Sequence, residues 1–132
     1  MKRNIGWIAG IAALFLLTGC GVSEEPKDSY RQIPMAEAAK IMEEETGYIL
    51  LDVRTQAEYD QGHIPGAVCI PNETIGTEEL PELPDKEQKI LVYCRSGNRS
   101  KQAAAKLVQL GYGNVVEIGG INSWPGEIVT GE

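Results

Sequence analysis

The stretch Cys94-Arg95-Ser96-Gly97-Asn98-Arg99-Ser100 carries the residue types that do covalent chemistry. An apolar run, Lys89 to Tyr93, leads into it, and a helix-forming run, Lys101 to Leu110, leads out. The pattern predicts a cysteine at the end of a strand, on a short polar loop that turns into a helix N-terminus. Backbone N–H groups and the positive helix end favour an anion at such a place. The reactive form of cysteine is the anion, so the chemistry is that of a thiolate nucleophile. A free thiol with a pKa of about 8.5 is only a few per cent ionised at neutral pH. Activation therefore has to come from the loop amides, the helix end and the cations Arg95 and Arg99. Gly97 lets the backbone curl so that successive N–H groups converge. Ser96, Asn98 and Ser100 are placed to donate further hydrogen bonds or to cap the helix.

Four other residues suggest acid–base work but read better as braces. Arg54 and Glu58 are four apart and are expected to pair. Asp52 is expected to accept N–H bonds from a neighbouring loop. His63, the only histidine of the chain, is expected to anchor its turn rather than transfer protons. The cysteines are at positions 20, 69 and 94, without a C-x-x-C pair, which fits neither a metal site nor a disulfide scaffold. Neither a metal nor an organic cofactor is expected. Cys69, between Val68 and Ile70, reads as a structural strand residue. The other reading of Cys69 is a resolving thiol for Cys94. A net charge of −7 over 132 residues argues against nucleic acid as the partner.

Strands and helices on either side must position these residues. Tyr30 to Ile33 reads as a short strand. Pro34 opens a helix whose face is Met35, Ala38, Ala39 and Met42, with Gly47 as its stop. Tyr48 to Leu51 is a continuous apolar strand, as buried parallel strands are. Thr55 and Glu58 fit a capping box that starts a short helix. Gly62 and Gly66 bracket the turn of His63, and Ala67 to Ile70 is a strand. Asn72 to Gln88 is polar and acidic, and reads as a loosely packed surface connection with room for one helical turn. After the strand Lys89–Tyr93 comes a helix with Ala103, Ala104, Leu107, Val108 and Leu110 inward and Gly111 as its stop. Val115 to Ile118 is a last strand, broken by Gly119-Gly120. Ile121 to Trp124 starts a small closing helix, with Trp124 as a core plug. Alternating strands and helices imply an α/β domain with a mainly parallel sheet. The site of such a sheet lies at the carboxyl ends of its strands, where Asp52, Arg54, Cys94 and Gly119-Gly120 all fall.

The N-terminus reads as a targeting segment. Met1-Lys2-Arg3 is basic, Ile5 to Leu17 is apolar, and Leu17-Thr18-Gly19-Cys20 closes the run. That ending resembles the bacterial lipoprotein lipobox. The resemblance implies cleavage of residues 1–19 as a lipoprotein signal peptide and a lipid on Cys20. Residues 20–29 would be a lipidated, flexible tether to a domain over 30–132. The protein would then sit in the cell envelope, anchored to a bacterial membrane with its domain outside the cytoplasm. Without residues 1–19 the chain has 10 basic and 19 acidic residues, net −9.

Three motifs together carry a second resemblance. They are Asp52-Val53-Arg54 with Glu58-Tyr59 and Gly62-His63-Ile64-Pro65-Gly66-Ala67, the loop from Cys94 to Ser100, and Gly119-Gly120-Ile121 with Trp124. From about Tyr30 to Trp124 the chain resembles a single-domain rhodanese. The resemblance implies a three-layer α/β/α fold with a central five-stranded parallel sheet and Cys94 as the catalytic residue. It implies a sulfurtransferase that takes sulfane sulfur from thiosulfate or a similar anionic donor. Cys94 would hold it as a persulfide and hand it to cyanide or a thiol. Arg95, Ser96, Gly97, Asn98, Arg99 and Ser100 would bind the donor. Asp52, Arg54, Glu58 and His63 would support the rim. A persulfide carrier or binding module is the alternative. A phosphatase or arsenate reductase fits less well, because those enzymes resemble C-x5-R, whereas here Arg99 follows Cys94 by five positions.

Overall fold

The computed structural model describes residues 29–76 and 78–131. The signal run, Cys20 and the tether up to residue 28 lie outside the described residues. Among the described residues no helix is long and apolar enough to cross a membrane.

Five strands alternate with three helices. In chain order they are β1 (Arg31–Gln32), α1 (Met35–Glu44), β2 (Ile49–Asp52), α2 (Gln56–Gln61), β3 (Val68–Cys69), β4 (Ile90–Cys94), α3 (Asn98–Gln109) and β5 (Val115–Gly120). Short 3-10 turns follow β3, at Asn72–Thr74, and β5, at Ile121–Ser123. The sheet order is β1-β5-β4-β2-β3, and every pair is parallel. The most apolar strand, β4, is central and wholly buried.

Side chains alternate across the sheet and divide the core into two layers. Leu51, Ile90, Val92 and Cys94 face Ala103, Ala104 and Leu107 of α3. Leu50, Leu91, Tyr93, Val116 and Ile118 face Met35 and Ala38 of α1 and Tyr59 of α2. Helices therefore cover both faces, and the strand ends carry the polar residues.

Three details differ from the sequence expectation. Helix α1 stops at Glu44, and Gly47, at φ +84°, serves the turn into β2 instead. The connection after β3 is firmly seated: Ile75, Leu80 and Leu83 are all buried and join the core on the α3 side. They are the only sizeable apolar residues of that stretch, and three are enough to seat it. Finally, β5 runs through Gly119 and Gly120 rather than ending before them.

Candidate active site

Strand β4 delivers Cys94 to the carboxyl edge of the sheet, on the side covered by α3. Its side chain is almost fully buried. The loop closes over it because Gly97 adopts φ +110°, a left-handed conformation open to glycine at little cost. That turn aims the Gly97 N–H at the Cys94 Sγ, 3.0 Å away. Ser100, in the first turn of α3, brings its Oγ to 3.5 Å from the same sulfur. Burial alone would raise the thiol pKa. The Ser100 hydroxyl and the N–H groups of Ser100, Gly97 and Ser96 outweigh it, and Cys94 ends below its ordinary value. The helix-start environment is thus realised in specific donors.

Arg95 and Arg99 stand at the mouth of the loop, and one carboxylate holds both. Glu58 accepts from Arg99 at 2.8 and 3.1 Å and from Arg95 at 3.0 and 3.3 Å. Glu58 is itself fixed by α2, because the expected capping box with Thr55 is formed. The Arg99 hydrogen bond, working against burial and helped by Thr55 and Arg95, holds the Glu58 carboxyl far below the usual range. The expected Arg54–Glu58 pair does not form. Arg54 instead grips Asp52 through Nε at 3.0 Å and its terminal nitrogen at 2.7 Å, and also donates to the Gly62 carbonyl. The Arg54 N–H adds a bond to Asp52 at 2.9 Å, so the carboxylate braces its own strand end. Geometry explains the exchange: Asp52 and Arg54 are two apart at a strand end and share a face, whereas Glu58 is carried by a helix toward the loop.

The other sequence-selected residues take supporting places. His63 stacks on Tyr59 with ring centroids 3.7 Å apart, and its Nδ1 lies 2.8 Å from the Tyr59 carbonyl oxygen. It also pairs with Val129 through the backbone. Ser96 on the loop and Asn98, the first residue of α3, are exposed. Cys69 is a free, half-buried thiol that burial pushes up to about 11. Strand β2 lies between β3 and β4, which separates the Cys69 and Cys94 strands by about 9–10 Å. A disulfide needs less than about 7 Å between Cα atoms, so Cys69 is not placed as a resolving thiol.

One site residue escaped the sequence reading. Glu117, in β5, is buried and accepts from both the Ser100 hydroxyl and the Gly119 N–H. The signal was present: a lone carboxylate in the apolar run Val115-Val116-Glu117-Ile118 demands a partner. Gly120 matters for its lack of a side chain, since an added Cβ there would overlap the Arg95 carbonyl oxygen. Strand β5 and the loop thus touch backbone to backbone. Among the described residues no cluster of His, Cys, Asp or Glu is arranged to hold a metal ion.

A family model for the rhodanese-like domain matches residues 35–127. The chain belongs to the rhodanese-like family. This rhodanese-like chain is 47% identical over 77 residues to a sulfurtransferase of Allochromatium vinosum, covering 58% of this chain and 70% of that protein. Similarity to the thiosulfate sulfurtransferase GlpE of Pseudomonas fluorescens is 34% identity over 107 residues, 77% of this chain and 94% of that one. A rhodanese-like domain from Anabaena sp. matches in structure with a TM-score of 0.68 at 28% identity, covering 75% of this chain and 78% of that chain. The five parallel strands and three helices are the rhodanese fold.

Proposed function

We propose that this protein moves sulfane sulfur from thiosulfate to a thiophilic acceptor, cyanide or a thiol, through a persulfide on Cys94. A sulfurtransferase is the activity class that its family and its relatives carry. The observation that carries the residue-level reading is the Cys94 sulfur seated against the Gly97 N–H and the Ser100 hydroxyl, with its pKa lowered by them.

The chemistry is a double displacement. The Cys94 thiolate attacks the outer sulfur of thiosulfate, the S–S bond of the donor breaks, and sulfite leaves with the bonding pair. The terminal persulfide sulfur keeps one negative charge and faces the loop N–H groups. Cyanide or a thiolate then bonds to that sulfur, and Cys94 departs as a thiolate. Preorganised donors suit both steps, because charge sits near the loop throughout. Arg95 and Arg99 attract the anionic donor. Each guanidinium has five N–H donors, so the bonds to Glu58 leave others free. The reaction needs no metal or organic cofactor.

The test is intact-mass analysis after incubation with thiosulfate. A gain of one sulfur on Cys94, absent in Cys94→Ser, is the expected result. Thiocyanate formation from cyanide should be lost in the same variant. No thiocyanate from the wild type would leave a persulfide carrier. No added sulfur would remove the sulfurtransferase reading altogether. The lipobox-like Leu17-Thr18-Gly19-Cys20 supports a lipid on Cys20 after loss of residues 1–19, with the domain held at the outer side of a bacterial membrane.

A further inference from the structure

Glu117 has no role in the reaction as written above, yet it sits next to the nucleophile. It is 3% exposed, and no ion pair reaches it among the described residues. A buried carboxylate without a cation is costly unless its hydrogen bonds justify it. The fold makes a local adjustment there. Val92 pairs with Glu117 but Tyr93 pairs with Gly119, so Ile118 is the extra residue of a β-bulge. Bulges re-aim side chains beside active sites. The Glu117 Oε2 takes the Gly119 N–H at 3.0 Å and the Ser100 hydroxyl.

Ser100 is therefore shared. Its Oγ is 3.5 Å from the Cys94 Sγ and is also bonded to Glu117. A serine hydroxyl has one hydrogen and two acceptor lone pairs. Its one hydrogen is contested by the Glu117 carboxylate, the Gly97 carbonyl at 3.0 Å and the Cys94 sulfur, and it serves one of them at a time.

We infer that Glu117 is a positioning residue that governs the proton of Cys94 through Ser100, the geometry being the bonded line Cys94–Ser100–Glu117. This rests on the reading of Cys94 as the nucleophile. In the thiol form the S–H donates to Ser100 Oγ, and the Ser100 O–H donates to ionised Glu117. On ionisation the S–H bond breaks, its proton goes to water, and the Ser100 O–H turns from Glu117 to the thiolate. Other polar and charged groups near Glu117 do not replace this coupling. Lys101 lines the same groove, β1 presents Gln32 opposite Glu117, and Arg95 and Arg99 are bonded to Glu58.

The test is the pH dependence of Cys94 alkylation by iodoacetamide, which needs no sulfur donor and so fails or succeeds independently of sulfur transfer. Glu117→Gln should ionise at Cys94 more readily than the wild type, by about tenfold or more in ionisation constant. In a Ser100→Ala background the same exchange should move the step less than a third as far. Superimposable wild-type and Glu117→Gln profiles, or equal shifts in both backgrounds, would overturn the inference. Should the Gln variant not fold, difference infrared spectroscopy of the wild type reads the same coupling. Alkylating Cys94 must shift the frequency of a buried carboxylate band, and no shift is a refutation.

Discussion

Glu58 is bonded to both loop arginines, so the mouth of the site carries less positive charge than Arg95 and Arg99 suggest. Removing that carboxylate separates two effects. Glu58→Gln should lower the KM for thiosulfate several-fold, because the guanidinium groups are freed. It should also cost about 1–3 kcal/mol of stability at pH 7, through the cap and the charged hydrogen bonds. The pH dependence has a definite sign. The Glu58 carboxyl is held below its unfolded value, so its contribution is complete above about pH 5 and fades as pH falls through and below the unfolded pKa of about 4.3. Thermal melts from pH 7 down to pH 3 should show the wild type losing this contribution and Glu58→Gln lacking it from the start. At this scale the sequence was partly legible. Cys94 and its loop stand out by residue type and by the strand–loop–helix pattern. The Thr55–Glu58 box is local and was readable as well. The long-range partners were not, because Glu58 reaches Arg99 across 41 residues and Ser100 reaches Glu117 across 17.

Among the elements, β4 and α3 were the plainest, since a buried parallel strand is a continuous apolar run and α3 has a regular inward face. The flanking strands β1 and β3 are only two residues each, and periodicity says little over such a length. The acidic connection is seated by only three buried residues, Ile75, Leu80 and Leu83, while its many charges dominate its composition, so its packing is not legible from composition. The Gly119-Gly120 pair shows a similar limit. Glycine in a strand reads as a break, yet here the strand continues and the reason lies in the loop packed against it. Gly120→Ala makes this measurable. Its Cβ would overlap the Arg95 carbonyl, and overpacking of that kind costs about 1–3 kcal/mol. Activity should fall more than stability, since the displaced backbone is that of the Cys94 loop. Comparing kcat with the thermal midpoint checks this, and equal retention of both would contradict it.

For the molecule as a whole, the fold was legible because its repeating strand–helix pattern allows few topologies. The attachment proposed at Cys20 belongs to this scale too. Palmitate labelling in an expressing bacterium should mark the wild type and not Cys20→Ala, with the variant leaving the membrane fraction. A net charge of −9 on the processed chain would keep the domain standing off an anionic lipid surface rather than lying on it. The contact between Gly120 and Arg95 has a consequence for what this scaffold can become. Where Gly120 meets Arg95, backbone lies against backbone and there is no side chain to trim. Lengthening the loop by one residue, toward the C-x5-R spacing, finds no room on the β5 side and must bulge toward solvent. A change of substrate from a single sulfur to a larger oxyanion is therefore not reachable by point substitutions at that contact. It requires an insertion, and adaptation by small steps would leave this domain handling sulfur.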